Sequence, residues 1–189
     1  MNSLTVFVHW RTAMASEEQP YYFPDRFAAH FKDKYAISGV YRWRVLRNPG
    51  EAKEVVYIGE AEDLIRRMQR VLTPSRKAKE GDTNRRLNEI FNRELAAGRK
   101  IVLDIADIEP FEINGVHFAS GSMGDRFKRR ALENLLLALA QASGQYDLLN
   151  VSVDPVEKAR QAIARLPPHV IRDLIRKHGP DRTEPSAGS

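Results

Sequence analysis

Two tyrosines, an arginine and a glutamate carry the chemistry this sequence offers. Tyr41 closes the tripeptide Gly39-Val40-Tyr41 and Tyr57 opens Tyr57-Ile58-Gly59. Arg67 lies ten residues beyond Tyr57, and Glu133 falls inside the apolar run Ala131-Leu132-Glu133-Asn134-Leu135. These types suit work on a phosphodiester, which asks for an activated water, positive charge at the phosphate and help for the departing oxygen. A guanidinium is always charged, and its planar fork matches phosphate oxygens. A single carboxylate holds Mg2+ when waters and a substrate phosphate supply the remaining ligands. A phenol, with an ordinary pKa near ~10, is a poor base at neutral pH unless nearby cations depress it.

Helical phase sorts the charged candidates. At ~100° per residue, Arg67 lies roughly 85° from the centre of the Leu64/Met68 face, while Arg66 and Arg70 lie roughly 145–175° away, in solvent. Arg67 therefore reads as a boundary residue aimed toward the sheet, or as an arginine whose stem covers the sheet edge. Glu133 lies about 110° from the centre of a face formed by Leu132, Leu135, Leu136 and Leu139. That edge position fits a metal-holding carboxylate and an i,i+3 partner of Arg130 equally well. Tyr41 and Tyr57 also read as ordinary half-buried strand aromatics, and Asn150, after two leucines, as a turn former.

The elements that must position these residues follow from period and punctuation. A short strand is expected over 4–10 and a helix over 25–35, where Phe27, Phe31 and Tyr35 recur at spacing four. An antiparallel hairpin spans 38–58, with a turn at Arg47-Asn48-Pro49-Gly50. Helices follow over 61–72 and 83–97, separated by the basic loop 73–82, with Gly98 after the second. A third strand covers 100–108, and Asn114-Gly115 marks a small hairpin inside 109–124. The strongest helix is 125–142; two short helices split at Pro167-Pro168 fill 155–178, and a disordered tail begins near 181. Strand, strand, helix, helix, strand, helix is an α+β order: a small antiparallel three-stranded sheet flanked by helices.

Composition narrows the classes. The 189 residues suit one domain, and the absence of cysteine excludes disulfides, thiolate nucleophiles, zinc knuckles and iron–sulfur clusters. The longest purely apolar run, Leu135 to Ala140, is far short of the roughly 20 residues a spanning helix needs, so no membrane partner is expected and a cytoplasmic location is. The chain carries a net +5 and a sequence pI of 9.6. Between Arg66 and Lys100, eleven Lys/Arg stand against four Asp/Glu, so that stretch alone carries +7. A second cluster, Arg126-Phe127-Lys128-Arg129-Arg130, leads into Glu133. Arg66, Arg70, Arg76, Lys77, Lys79, Arg129 and Arg130 are the expected contacts to a nucleic-acid backbone; the bland alternative is solvated helix faces.

Taken together, Gly39-Val40-Tyr41, Tyr57-Ile58-Gly59, Arg67, Glu133 and Asn150 resemble the GIY-YIG endonuclease family over roughly 38–151, and Asn84 to Phe91 is similar to that family's second helix. The resemblance implies a Mg2+- (or Mn2+-) dependent DNA endonuclease with Tyr41, Tyr57, Arg67, Glu133 and Asn150 as site residues and Glu133 as metal ligand. It also implies that both phenols enter one pocket, and that Asn150 holds the site's architecture. Two positions depart from the family pattern: Glu60 stands where a lysine is common, and Val71 where a tyrosine or histidine is common. They leave the general base unassigned, with His117 a weak outside choice, and support an alternative: a nucleic-acid-binding module on the same fold that has lost its chemistry. Residues 1–37 and 152–180 read as extensions of a 38–151 core, available for target choice or homodimer contacts.

Overall fold

The computed structural model describes residues 8–46, 53–77, 82–113 and 116–150. The turn at 47–50, Lys79, the Asn114-Gly115 pair, the helices expected over 155–178 and the tail from 181 lie outside them. The described chain runs β1 (Val8–Thr12), α1 (Ala29–Tyr35), β2 (Gly39–Leu46), β3 (Glu54–Ala61), α2 (Leu64–Leu72), α3 (Thr83–Ala96), β4 (Lys100–Ile108), β5 (Phe111–Ile113), β6 (Val116–Phe118), α4 (Arg126–Ser143) and β7 (Tyr146–Leu148). The α+β class holds, but the sheet is larger than expected. Five strands stand in the order β1-β4-β2-β3-β7, antiparallel except for the β3–β7 pair, and β5 and β6 form a separate hairpin. The three expected strands are its centre. The two edges come from short segments with weak patterns of their own, β1 beside β4 and β7 beside β3.

Helix starts are set by aspartates. Asp63, Asp82 and Asp125 each occupy the N-cap of α2, α3 and α4 and accept hydrogen bonds from Arg66 N (2.9 Å), Asn84 N (2.9 Å) and Phe127 N (2.7 Å). Each satisfies a backbone donor that the first turn cannot. Gly144 ends α4 at φ 63°, a conformation that favours glycine.

Strand alternation divides the core in two. On one face Tyr41, Trp43, Val45, Tyr57, Ile101 and Leu103 pack with Phe31 of α1, Leu64 and Met68 of α2, and Leu87 and Phe91 of α3. On the other, Val40, Ile58, Ala106 and Ile108 pack with Leu132, Leu136, Leu137 and Ala140 of α4. The N-terminal residues are built into the first of these clusters: Tyr21 and Phe23 lie within 6.2 Å and 5.9 Å of the Trp43 ring.

The phase of α4 differs from the expected one. Leu139 is 50% exposed and Leu135 only half-buried, whereas Leu137 and Ala140 are buried. The helix is apolar around most of its girth, so two stripes are open to it, sharing Leu132 and Leu136. The stripe against the sheet is the one that also carries Arg129. Glu133 thereby moves from the edge to about 40° from the centre of the buried stripe.

Beyond α4, the same sheet face carries a charged network. Asp104, 1% exposed, accepts hydrogen bonds from Arg42 Nε (2.8 Å), Thr12 Oγ1 (2.8 Å) and Arg44 Nη2 (3.2 Å), and Arg44 also bonds Glu54 (3.0 Å). Burial alone would raise the Asp104 pKa, but the hydrogen bonds from Arg44 and Arg42 outweigh it and hold the carboxyl below its usual range. A depressed carboxyl contributes stability that is present above its unfolded pKa of about 3.9 and disappears as pH falls through the folded value. Asp104→Asn should cost about 3–5 kcal/mol at pH 7, because two half-buried guanidiniums lose their carboxylate. The variant should also lose less of its remaining stability than wild type between about pH 5 and pH 2, measured by urea unfolding across pH.

Candidate active site

The pairing register brings the two tripeptides face to face. Tyr41 stands opposite Gly59, and Trp43 opposite Tyr57. A Cβ at Gly59 would lie 2.8 Å from Tyr57 Cε1 and 2.9 Å from Tyr41 Oη, so the missing side chain is what lets the two rings share the face. Their centroids are 6.2 Å apart. Gly59→Ala should therefore push both rings, lowering stability by about 1–3 kcal/mol in thermal unfolding.

Arg67 reaches this pair from α2. Its Nε donates to Tyr41 Oη at 2.9 Å and its Nη2 to Tyr57 Oη at 3.3 Å. The boundary position expected from helical phase is the position found: Arg67 is half-buried, while Arg66 and Arg70 are exposed. Tyr41 is fully buried and Tyr57 is 6% exposed. Burial pushes both phenols up, helped by the Glu133 carboxylate; the Arg67 guanidinium pulls them down but does not prevail. Tyr41 and Tyr57 therefore stay protonated near neutral pH. Each accepts from Arg67 and keeps a proton to donate. The negative charge of Glu133 acts on both phenols, so its carboxylate on α4 lies within electrostatic reach of the pair.

Asn150 pins the middle of the second tripeptide. Its Nδ2 donates to Ile58 O at 2.7 Å and its Oδ1 accepts from Ile58 N at 3.0 Å, one position beyond the Leu149 N–Val56 O bond (2.7 Å) that continues β7. An amide side chain thus extends the strand pairing by one residue and satisfies backbone groups that would otherwise go unpaired.

The two departures from the family pattern have plain structural roles. Val71 is buried in the core beneath α2 and α3. Glu60 accepts from Arg129 Nε at 2.9 Å, with Arg130 Nε 3.7 Å from its other oxygen. Arg129 is 3% exposed and also donates to the Met123 and Gly124 carbonyls at 2.7 and 2.8 Å. Its expected place among the backbone-contacting cations is corrected: the guanidinium is committed inside the protein, tying α4 to β3 one turn ahead of Glu133. Arg66, Arg70, Arg76, Lys77 and Arg130 are exposed, as phosphate contacts must be, and Lys79 is outside the described residues. His117 lies exposed on the separate β5–β6 hairpin.

One further cation does not stand out in the sequence. Arg86, in the first turns of α3, precedes the buried Leu87, and its charge lowers the Tyr57 pKa. Nothing in the sequence sets it apart among the eleven basic residues of its stretch, since Arg67, Arg70 and Lys100 also precede apolar residues.

Among the described residues no three His, Cys, Asp or Glu side chains gather as a metal cage. A single carboxylate, Glu133, whose charge reaches two neutral phenols, fits a hard cation that retains several waters and shares a substrate phosphate, and does not fit a caged structural metal. No described helix is long and apolar enough to cross a membrane. Family models, curated proteins and solved structures were compared with the chain, and none matches.

Proposed function

We propose that this chain is a metal-dependent endonuclease of the GIY-YIG kind, hydrolysing phosphodiester bonds in DNA with Mg2+ or Mn2+ held by Glu133. One observation carries the reading: a single guanidinium, Arg67, bonds the phenols of both tripeptides on adjacent strands. Structural arginines cover sheet edges or pair with carboxylates. An arginine bonded to two buried neutral hydroxyls keeps its charge uncompensated by them, available to a phosphate.

When bound at Glu133, the metal supplies Lewis-acid polarisation of the phosphate and a water of lowered pKa. Arg67 holds a phosphate oxygen and meets the charge that develops there. Tyr57, the less buried phenol, donates its proton as a hydrogen bond to the attacking water or to the phosphate. Tyr41, fully enclosed, holds Arg67 in orientation. Neither phenol is a ready proton acceptor in the free protein, and positions 60 and 71 offer no base, so the attacking water would give its proton to bulk solvent, a loss that the lowered pKa of a metal-bound water would ease. The exposed arginines and lysine of 66–77 and Arg130 position the backbone without reading sequence. The test is cleavage of plasmid and single-stranded DNA with Mg2+ or Mn2+, with EDTA controls.

The second reading, a binding module without chemistry, is favoured by Glu60 and Val71, both committed to packing or to Arg129. It expects salt-sensitive DNA binding and no product with any divalent metal.

A further inference from the structure

Three buried polar side-chain atoms among the described residues have no hydrogen-bond partner: Trp43 Nε1, Asn84 Oδ1 and Arg86 Nε. Two of these stand two residues apart on the first turns of α3, and Arg86 is the only charged group of the three. Native interiors pair their charged donors, and an unpaired guanidinium N–H marks a place where a partner is missing or arrives with a ligand. The acids nearest Arg86 along α3 are otherwise placed. Asp82 caps the helix, Glu89 is exposed, and Glu94 is bonded to Arg99.

The neighbouring residue shows where the start of α3 lies. Leu87 is fully buried in the cluster that contains Tyr41, Tyr57, Leu64 and Met68, so the start of α3 stands over the same sheet face as the two phenols. Arg67 approaches those phenols from α2, and Arg86 comes from the next helix. We infer that Arg86 is a second phosphate-contacting residue of the site, its half-buried guanidinium taking an oxygen of the phosphate that Arg67 binds or of the one next to it. The inference rests on the reading of this site as phosphodiester-binding. The charge of Arg86 already acts on Tyr57, consistent with that placement. A guanidinium with one N–H unpaired suits this role because its planar fork bonds two oxygens, where a lysine offers only a point charge.

The experiment uses the full chain and a fluorescent DNA duplex. Binding in EDTA is measured by anisotropy over a NaCl series, and cleavage with Mg2+ gives kcat and KM. Arg86→Gln should reduce the slope of log K against log salt by about 1. It should also lower kcat/KM by about tenfold or more, with an unchanged circular dichroism spectrum. Arg86→Lys should restore the salt slope but not the rate, a split that a merely structural role would not produce. Should Arg86→Gln fail to fold, Arg86→Lys decides alone: wild-type kcat/KM overturns the inference, and a loss of about tenfold or more supports it. A wild-type slope and rate in Arg86→Gln overturn the inference, and if Arg67→Gln is inactive in the same assay the proposed function survives. A wild-type protein that cleaves nothing overturns the reading of the site instead, and with it the Arg86 role in catalysis.

Discussion

Arg67→Ala should lower the cleavage rate about 100-fold or more, with a folded circular dichroism spectrum. The size of the effect follows from what the side chain touches. Its Nε and Nη2 bond the two phenols at 2.9 and 3.3 Å, and its charge is the one placed beside both. Removing it takes away the group that meets developing phosphate charge. It also leaves Tyr41 Oη, fully enclosed, without its donor, a loss of about 1–3 kcal/mol in urea unfolding. Arg67→Lys separates the two consequences. An ammonium restores charge but cannot span two hydroxyls in the geometry of a planar fork, so stability should partly recover while the rate stays low. Equal recovery of both would mean that charge alone suffices and that the bridging geometry is incidental.

Glu133→Gln should have the other large effect, a loss of metal-dependent cleavage of about 100-fold or more. Glutamine keeps the size of the side chain and one accepting oxygen, and removes the charge that a divalent cation needs. A second readout follows from the same substitution. The Glu133 carboxylate raises both phenol pKa values, so neutralising it should let Tyr41 and Tyr57 ionise at lower pH than in wild type, followed by phenolate absorbance on alkaline titration. A phenol shift with unchanged cleavage would place Glu133 beside the tyrosines but the metal elsewhere.

Much of this site is legible in the amino-acid sequence. The tripeptides read as adjacent strands because a proline-glycine turn separates two short apolar runs, and helical phase alone separates Arg67 from Arg66 and Arg70. For Glu133 the sequence indicates the right helix and a half-buried place, but the wrong apolar stripe. The run from Ala131 to Ala140 is apolar on nearly every side, so its periodicity admits two stripes. Contact with Ile58 and Val40, and the Arg129–Glu60 bond, select between them. That bond is itself hidden in the sequence, because a helical wheel assigns an arginine in a basic run to solvent. The strand expected over 4–10 overlaps β1, but the other edge strand, β7, escapes for a related reason. Three residues at Tyr146–Leu148 have no pattern to recognise, and their pairing with β3 depends on Asn150 grasping Ile58 from far along the chain. Glu60 and Val71 look like lost chemistry in the sequence; in the structure one anchors α4 and the other fills the core.

The central claim is that Arg67, the two phenols and Glu133 form one phosphodiester-cutting site. Its most direct test is nicking of supercoiled plasmid by wild type, Arg67→Ala and Glu133→Gln side by side, with Mg2+ and with EDTA. The expected result is nicked product from wild type with Mg2+ alone. Product that persists in EDTA, or that both variants make at the wild-type rate, would contradict it.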